Sequence, residues 1–170
     1  DNSFIRLEKL KYNIEKQAVE KCNILKIDAT TLNTQFKEET FDKILADLPC
    51  SAEWRINLNK EKTFWFWSEE YIKKNYNIQK NILKSVVPLL KKWGTLVYST
   101  CTLAPEENEE IAHFLLSNFK DLEIVDINLN SMLVRNWIKS FKDKVYNKNV
   151  IKSKRFLPSH QTEWFFIAKF

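Results

Sequence analysis

The chain has 170 residues, a net charge of +5 and 44% hydrophobic residues. That length is enough for one domain with a real core and too short for two ordinary domains. No run of about 18 apolar residues predicts a transmembrane helix, and the charged start of the chain lacks the apolar stretch of a signal peptide. The mildly basic charge permits a polyanionic partner without requiring one.

The first part of the chain predicts a helix and then a strand. Residues 3–16 predict a helix capped by Asn2 or Ser3, because both residue types are favoured N-caps. Its apolar side chains lie on one side at helical spacing: Phe4, Leu7, Leu10 and Ile14. Residues 23–27 predict a short strand that is followed by Asp28.

The middle of the chain predicts a strand, a long loop and a helix. Residues 41–48 predict a buried strand, and residues 50–67 predict a loop rich in polar and aromatic side chains. A helix should begin at Ser68, a favoured cap that is followed by two acidic residues. We expect it to reach about residue 92, with a kink at Pro88, and to stop before the single glycine of the chain.

The last part of the chain predicts two strands around a helix, and then a closing strand. Residues 95–100 predict a strand, and Pro105 suits the first position of the next helix. That helix carries three apolar side chains inward: Ile111, Phe114 and Leu115. Residues 122–127 and 164–170 predict strands, whereas residues 128–155 have no clear pattern.

Strands that alternate with helices predict an α/β fold with a mostly parallel sheet. In such sheets, ligands bind beyond the carboxyl ends of the strands. The predicted strands end at Asp28, at Asp47 and at Thr100, and Asp1 follows the place of a further strand. Reactive side chains therefore collect at one edge of the predicted sheet.

The chain contains three cysteines, and two of them follow buried strands at this edge. The odd number, the wide spacing and the missing signal peptide argue against a disulfide framework, and two His with no CxxC argue against zinc. A single Cys is most often a core residue, which is our interpretation of Cys22. Cys50 and Cys101 instead stand in Asp-Leu-Pro-Cys-Ser and Ser-Thr-Cys-Thr, and we expect them to be neighbours in one cleft.

These segments resemble the Sun-type (Fmu-type) RNA cytosine-5 methyltransferases. FDKILADLPCSAE at 41–53 resembles the fourth motif of that family, and GTLVYSTCTLAPEENEE at 94–110 resembles its sixth motif and following helix. RFLPSHQTEWFFIAKF at 155–170 resembles its closing segment. With the opening DNSFIRLEKL, the resemblance covers the chain except for roughly residues 128–154. The two cysteine motifs together are specific, whereas either alone is a weak signal.

The resemblance implies a covalent mechanism that is carried by both cysteines. Carbon-5 of cytosine becomes nucleophilic when a thiolate adds to carbon-6, and a base must later remove the proton from carbon-5. Cys101 would attack carbon-6, Cys50 would help to release the product, and Asp47 would contact the cytosine ring. DNA cytosine-5 methyltransferases place the nucleophile in the Pro-Cys motif and lack the second cysteine, so the pair favours RNA.

The resemblance also implies S-adenosylmethionine as the cofactor. Asp1 would hold the ribose hydroxyls and Asp28 would lie near the adenine, while Asp47 and Pro49 would complete the cofactor side of the active-site turn. Without such a role, Asp1 is a helix cap and Asp28 a strand-end turn. The glycine-rich loop of the family is absent, so we expect residues 1–170 to be one partial catalytic domain. Its Rossmann-like sheet would be truncated at the N-terminus and inactive by itself.

The expected partner is RNA, with ribosomal RNA ahead of transfer RNA on family grounds. We expect a cytoplasmic monomer that uses neither a membrane nor a metal. Two other functions remain open: a non-catalytic RNA-binding module with a degenerate methyltransferase fold, and a redox protein that uses the two thiols. The basic residues 139–155 predict either a solvated surface or an RNA-facing patch.

Several other side chains have a structural and a functional interpretation. His113 is expected to be structural, and His160 more often so than an RNA contact. Arg55 either contacts phosphate or is solvated. The aromatic run Phe64, Trp65, Phe66 and Trp67 predicts a core cluster ahead of a surface that stacks on bases.

The composition is unusual in having one Gly and six Trp, since an average chain of this length has about twelve Gly. Trp54, Trp93 and Trp164 stand where the family pattern or turn geometry favours glycine, and Trp65 is a further candidate. We hypothesise that these tryptophans are UGA codons that the source bacterium reads as glycine. Compositional drift must contribute as well, because four recoded positions would leave glycine scarce.

Overall fold

A computed structural model describes residues 1–128, 134–135, 138–160 and 162–170. Its helices are α1 (Phe4–Lys16), α2 (Glu69–Val86) and α3 (Glu109–Asn118). Its strands are β1 (Phe41–Asp47), β2 (Leu90–Thr100), β3 (Val134–Arg135), β4 (Ser140–Phe141), β5 (Lys144–Val145), β6 (Lys154–Phe156) and β7 (Phe165–Lys169). Short 3-10 helices occupy Ala29–Thr34, Glu53–Arg55, Glu61–Thr63, Val87–Leu89 and Lys148–Lys152.

The main sheet has five strands in the order β1-β2-β7-β6-β3, and β4 and β5 form a separate hairpin. β1 and β2 are parallel, whereas the other strand pairs in the described part of the chain are antiparallel. The α/β prediction is confirmed, but the expectation of a mostly parallel sheet is wrong for these residues. A parallel pair needs a long crossover, which α2 provides between β1 and β2, whereas the strands near the C-terminus are joined by shorter connections.

The start of the chain partly follows the sequence prediction. The Ser3 hydroxyl accepts from the backbone N–H of Arg6 and caps α1. Of the four apolar side chains on one side of this helix, Leu7 is buried and Ile14 is half-buried. Phe4 and Leu10 are 63% and 43% exposed. The described chain packs over only a narrow part of this helix.

Residues 23–27 do not form a strand in the structure, although they make one rung of a parallel ladder. The N-terminal amino group of Asp1 donates to the Leu25 carbonyl at 3.2 Å. The Ile27 N–H donates back to the Asp1 carbonyl at 3.2 Å. This alternation is the hydrogen-bond pattern of parallel strands. It places Asp1 beside the end of residues 23–27, as the sequence predicted, but one rung is too short for a strand.

The boundary between α2 and β2 lies earlier than the sequence indicated. The Ser68 hydroxyl accepts from the Tyr71 N–H at 3.1 Å, so the predicted start is confirmed. The helix ends at Val86, and Pro88 lies in the short 3-10 helix that follows. β2 then begins at Leu90 rather than at residue 95, because Leu90 already pairs with Phe41.

The first residues of β2 contain a β-bulge. The register shifts between the pair Phe41–Leu90 and the pair Lys43–Thr95, so residues 91–94 bulge from the ladder. A Cβ on Gly94 would lie 2.8 Å from the Lys91 carbonyl oxygen. Glycine is therefore required at position 94 for a close approach of backbone.

The helix after β2 begins at Glu109 and not at the predicted Pro105, because residues 105–108 form a turn. The predicted inward side chains of this helix are buried: Ile111, Phe114 and Leu115. Residues 122–127 form a single antiparallel bridge, from Val125 to Lys169, and not the predicted strand. β6 pairs with β7 only as far as Ile167, so Val125 occupies the place beyond it.

The core lies among α2, β2, α3 and β7. Its most buried members are 0% exposed: Leu83, Leu96, Tyr98, Ile111, Leu115 and Phe166. The closing strand was predicted at 164–170 and is confirmed as β7, which pairs with β2 from Val97–Lys169 to Thr100–Phe166. This pairing holds the carboxyl-terminal half of β2, residues 97–100, in the sheet up to the residue before Cys101.

Candidate active site

The two predicted cysteines meet at the carboxyl ends of β1 and β2. These strands are parallel and in register, with Asp47 opposite Ser99, so the loops that follow them leave the sheet side by side. The sulfur of Cys50 lies 3.4 Å from the sulfur of Cys101. Both cysteines are half-buried and neither forms a disulfide. The structure therefore brings the two thiols into one cleft, as the sequence analysis expected.

The two thiols have opposite tendencies to ionise. The hydrogen bond with Cys101 raises the pKa of Cys50, and burial raises it further. The same hydrogen bond lowers the pKa of Cys101, against the opposing effects of burial and of the negative charge of Asp47. These directions make Cys50 the thiol that keeps its proton, while the contact between the two sulfurs is compatible with either one as the donor. Because the thiolate is the nucleophilic form of cysteine, Cys101 is the better nucleophile of the pair.

Asp47 ends β1 beside the two thiols. It is exposed, and one of its carboxylate oxygens accepts from the Ser99 hydroxyl at 3.2 Å. Its charge reaches Cys101, since it opposes ionisation of that thiol. The carboxylate is therefore open to a ligand in the cleft while its direction is set by a neighbouring strand.

A buried Glu–Gln pair holds the turn around Cys50, and the sequence analysis did not find it. Both oxygens of the Glu107 carboxylate lie within hydrogen-bond distance of the Ser51 N–H, at 3.1 and 3.2 Å. Gln79 donates through Nε2 to Glu107 at 2.7 Å and to the carbonyl of the exposed Pro49 at 2.9 Å. Glu107 and Gln79 are both 0% exposed, and burial raises the pKa of Glu107 to about 7.

No periodicity could have identified this pair, because Glu107 stands in a run of acidic residues that the sequence presents as a helix start. The available signal was weaker. Gln79 lies one helical turn after the buried Asn75 on α2, so a polar residue falls on the inward face of an amphipathic helix. A polar residue at such a position must find a buried partner.

A second network joins the residues that follow the two cysteines, Ser51 and Thr102. Their hydroxyl oxygens are 2.6 Å apart. The Thr102 hydroxyl donates to Glu53 at 2.9 Å, and the same carboxylate oxygen accepts from the Leu103 N–H at 2.8 Å. The indole N–H of Trp67 donates to the other oxygen of Glu53 at 2.6 Å. The two loops are therefore tied to each other immediately beyond the thiols.

The loop after Cys101 is also anchored by a buried ion pair. Arg155 donates to both carboxylate oxygens of Glu109 and, through Nη1, to the Leu103 carbonyl at 2.9 Å. Both side chains of this ion pair are almost fully buried. Three further cations of residues 139–155 also pair with acidic side chains, among them the buried Glu110: Lys142, Lys144 and Lys154. Much of the positive charge of this stretch is thus neutralised within the protein.

The two aspartates predicted to contact a cofactor lie at the exposed N-terminal side of the fold. Asp1 accepts from Arg6 through both carboxylate oxygens, at 2.8 and 2.9 Å, and from the Ser3 N–H at 2.8 Å. Asp28 accepts from the backbone N–H and the hydroxyl of Thr30, at 2.9 and 2.8 Å. These bonds lower the pKa of Asp28. Both carboxylates are therefore used locally. Asp28 forms the expected turn, whereas Asp1 is not the helix cap, because Ser3 takes that position.

The two histidines and Arg55 lie outside the networks around the thiols. His113 accepts through Nδ1 from the Asn147 N–H at 2.9 Å and is structural. His160 and Arg55 are exposed. The closing segment that contains His160 is described except for residue 161.

The aromatic run does not form the core cluster that the sequence predicted. Trp65 is 74% exposed and Trp67 is 43% exposed, whereas Phe64 and Phe66 are half-buried. The run lies on two successive turns, so its side chains diverge instead of pointing into one interior.

The tryptophans suspected of replacing glycine differ in their backbone φ angles. Trp93 has a φ of 66° and is 93% exposed, so an indole stands at a left-handed position that favours glycine. Trp54 and Trp164 do not have a positive φ, and both contact the loop after β2. Trp164 donates to the Thr102 carbonyl at 3.0 Å. Trp54 bonds to Cys101 and, less strongly than Cys50, lowers the pKa of that thiol.

Within the described ranges, no helix has the length and apolar character needed to cross a bilayer. Among the same residues, no group of three or more His, Cys, Asp or Glu side chains is placed to hold a metal ion.

The sequence as a whole matches one protein family. The model of the family described as 16S rRNA methyltransferase RsmB/F matches residues 1–170. The chain is 38% identical over 121 residues to ribosomal RNA small subunit methyltransferase F of Aeromonas salmonicida, covering 71% of the chain and 25% of the relative. It is 34% identical over 116 residues to the enzyme of the same name from Vibrio vulnificus, covering 68% and 24%. The chain thus spans about a quarter of the length of these curated relatives.

Solved structures share the fold of the chain. NSun6 from Pyrococcus horikoshii with SFG has a TM-score of 0.74 at 30% identity, covering 99% of this chain and 39% of that one. A methyltransferase homolog protein from the same organism has a TM-score of 0.80 at 28% identity, covering 99% and 50%. The fold is therefore the Rossmann-like fold of S-adenosylmethionine-dependent methyltransferases.

Proposed function

The chain belongs to the RsmB/F family of 16S rRNA methyltransferases, and from this premise we propose that it carries the catalytic residues for methylation of carbon-5 of cytosine in ribosomal RNA. The observation that carries the proposal is the thiol pair, with sulfurs 3.4 Å apart and opposite pKa shifts. One thiol is prepared to attack and the other retains a proton, which is the division of roles that a covalent mechanism requires.

In the first step, the thiolate of Cys101 adds to carbon-6 of the cytosine ring. The hydrogen bond from Cys50 favours that thiolate, because it lowers the pKa of Cys101. The electron pair of the carbon-5 to carbon-6 double bond moves toward carbon-5 and makes it nucleophilic. Asp47, exposed at the end of β1, would contact the cytosine ring through its carboxyl group. The target base must leave any stack before it can reach this cleft.

After carbon-5 has taken up the methyl group, the adduct must lose the proton from carbon-5. Once Cys101 is bonded to carbon, its negative charge is gone, and the hydrogen bond that raised the pKa of Cys50 is weakened. Cys50 first gives up its own proton to solvent, and its thiolate then takes the proton from carbon-5. The electrons of that C–H bond form the carbon-5 to carbon-6 double bond again, and the Cys101 sulfur leaves as a thiolate. Loss of Cys50 would therefore block release while leaving addition possible.

S-adenosylmethionine supplies the methyl group when it is bound. The chemistry of the exposed carboxylates fits the adenosine part of that cofactor, because Asp28 stays ionised and carboxylates accept from hydroxyl and amino groups. Asp1 fits the ribose hydroxyls once Arg6 releases one of its oxygens. We propose that these two residues, together with Asp47 and Pro49, form the cofactor side of the cleft.

The test uses the full-length protein that carries this chain. It is incubated with radiolabelled S-adenosylmethionine and with either 16S rRNA or transfer RNA, and the labelled base is identified after nuclease digestion. We expect 5-methylcytosine in 16S rRNA. Label only in transfer RNA would overturn the ribosomal assignment, and no label in any cytosine would overturn the proposed reaction.

A further inference from the structure

The turn that carries Cys50 is fixed from the interior of the protein on both of its sides. Pro49 supplies the carbonyl of the peptide bond before Cys50, and Ser51 supplies the N–H of the peptide bond after it. Gln79 donates to that carbonyl at 2.9 Å, and Glu107 accepts from that N–H at 3.1 Å. Gln79 and Glu107 also bond to each other at 2.7 Å, so one connected pair holds both peptide groups.

The two members of this pair come from different elements. Gln79 lies on α2, and Glu107 lies on the turn between Cys101 and α3. The Glu107 carbonyl accepts from the hydroxyl of the buried Tyr98, which lies on β2 three residues before Cys101. The pair therefore fixes the position of the Cys50 turn relative to β2, the strand that leads to Cys101.

A carboxylate at this depth has an energetic cost that its hydrogen bonds do not remove. Burial, together with a smaller electrostatic contribution from Cys50, raises the pKa of Glu107 to about 7. Replacing a buried ionisable group by apolar side chains is often neutral or stabilising. Moreover, the Oε1 atom of Gln79 is buried without a hydrogen-bond partner in the described structure. Perturbed and incompletely satisfied buried groups of this kind cluster at functional sites.

We propose that Glu107, with Gln79, is a positioning residue that sets the distance between the Cys50 thiol and the Cys101 sulfur. This inference rests on the proposed methylation, because its consequence is the correct placement of Cys50 for product release. Glu107 bonds to the backbone beside Cys50 and forms no hydrogen bond with either sulfur among the contacts described. It acts on the reaction through the position of Cys50, and its removal should impair release more than addition.

The experiment measures the covalent adduct in the full-length enzyme with an RNA substrate. Adduct formation and adduct release are followed separately by denaturing electrophoresis of single-turnover samples. For Glu107→Gln we expect formation close to the wild-type rate and release slowed by roughly 10- to 100-fold, the usual cost of a small misplacement of a reacting group. Gln79→Met, which removes both donors without leaving a new polar group, should slow release in the same way.

A second readout does not depend on activity. The relative rates at which iodoacetamide alkylates Cys101 and Cys50 are measured by mass spectrometry at neutral pH. In Glu107→Gln the turn is released, so Cys101 loses part of its hydrogen bond and Cys50 becomes more accessible. The ratio of Cys101 to Cys50 alkylation should fall roughly tenfold, which corresponds to a shift of one pKa unit.

Glu110→Gln is the matched control. Glu110 is buried in the first turn of α3, as Glu107 is buried just before it, but it pairs with Lys144 on the β4–β5 hairpin. The variant should change the melting temperature by a similar amount and leave the alkylation ratio and the partition between formation and release unchanged.

Three results separate the possibilities. A wild-type enzyme that forms no adduct would refute the proposed reaction, while the alkylation ratio would still test the positioning role. Wild-type release and alkylation in both Glu107→Gln and Gln79→Met would overturn the positioning role alone. Equal slowing of formation and release with an unchanged alkylation ratio would make Glu107 a purely structural residue and would also overturn it.

Discussion

The turns after β1 and β2 each carry a cysteine at the same edge of the sheet, yet different contacts hold the two turns. The Cys50 turn is held by side chains from the interior, through Gln79 and Glu107. The Cys101 turn is held two residues further along, where Leu103 donates through its N–H to Glu53 and accepts through its carbonyl from the buried Arg155. The comparison shows that the local contacts of a thiol decide how easily it ionises. The pKa of Cys50 is raised and that of Cys101 is lowered, so Cys101 is the thiol that ionises more easily.

We expect the largest effect from substitution of Cys101. In the full-length enzyme, Cys101→Ala removes the nucleophile, and we expect methyl transfer to fall by more than about a thousandfold. No covalent adduct with RNA should be detected on a denaturing gel. Cys22→Ala is the matched control, because Cys22 is distant in sequence from both turns. It is also exposed, so its interpretation as a core residue is wrong. Adduct formation by Cys101→Ala would mean that the roles of the two thiols are reversed.

Cys50→Ala tests the other side of the comparison. Addition should proceed, while the proton on carbon-5 cannot be removed efficiently, so the enzyme–RNA adduct should accumulate. We expect turnover to fall by about a hundredfold or more, in the range that a general acid or base contributes. The same denaturing gel measures the adduct. A variant that turns over normally would exclude Cys50 from product release.

The buried carboxylate beneath Cys50 should produce a pH dependence of stability. The pKa of Glu107 is raised from 4.5 to about 7 in the folded protein, so the folded state holds a proton that the unfolded chain releases. The resulting stability is present below pH 4.5 and is lost as the pH rises through about 7. Relative to Glu107→Gln, the wild type should lose roughly 3 kcal/mol of unfolding free energy across this window.

The measurement is thermal or denaturant unfolding of both proteins from pH 4 to pH 8. Exposed carboxylates with lowered pKa values occur in both proteins, so their opposite effect cancels in the difference: Asp28, Asp42, Glu70 and Asp126. A difference in stability that does not change with pH would show that Glu107 titrates in its ordinary range.

The opposite pKa shifts of the thiols predict their reactivity. At neutral pH, iodoacetamide should alkylate Cys101 faster than Cys50, because only a thiolate reacts. In Cys50→Ala, the donor to Cys101 is lost, and alkylation of Cys101 should slow roughly tenfold for each unit by which its pKa rises. Mass spectrometry of the alkylated peptides measures both rates. Faster alkylation of Cys50 in the wild type would contradict the direction of the hydrogen bond.

The smallest effect concerns the opposite end of β2 from Cys101. Trp93 has a φ of 66° and is 93% exposed, so its side chain gains little from packing and its backbone is strained. Trp93→Gly should raise stability by about 1 kcal/mol. Trp65→Gly is the control, since Trp65 is also exposed but has no positive φ, and glycine there should be neutral or destabilising. A UGG codon at position 93 would end the hypothesis that this tryptophan is a recoded glycine.

Much of the fold follows from local patterns in the sequence. The Ser68 cap, the strand at Phe41–Asp47 and the closing strand were all predictable, because each depends on neighbouring residues alone. The start of β2 and the start of α3 were not. Leu90 enters the strand because Phe41 lies beside it, and residues 105–108 form a turn because Glu107 is drawn into the interior.

The sequence by itself determined the thiol pair, because two strands that each end in a cysteine motif must present both cysteines at one edge if they are parallel neighbours. It also determined the family, because the two motifs are specific together. Only the tertiary structure decided which thiol keeps its proton. That choice depends on a contact of 3.4 Å between residues 51 positions apart and on the burial of Cys50. Burial and hydrogen-bond direction are properties of the packed chain, and no local pattern encodes them.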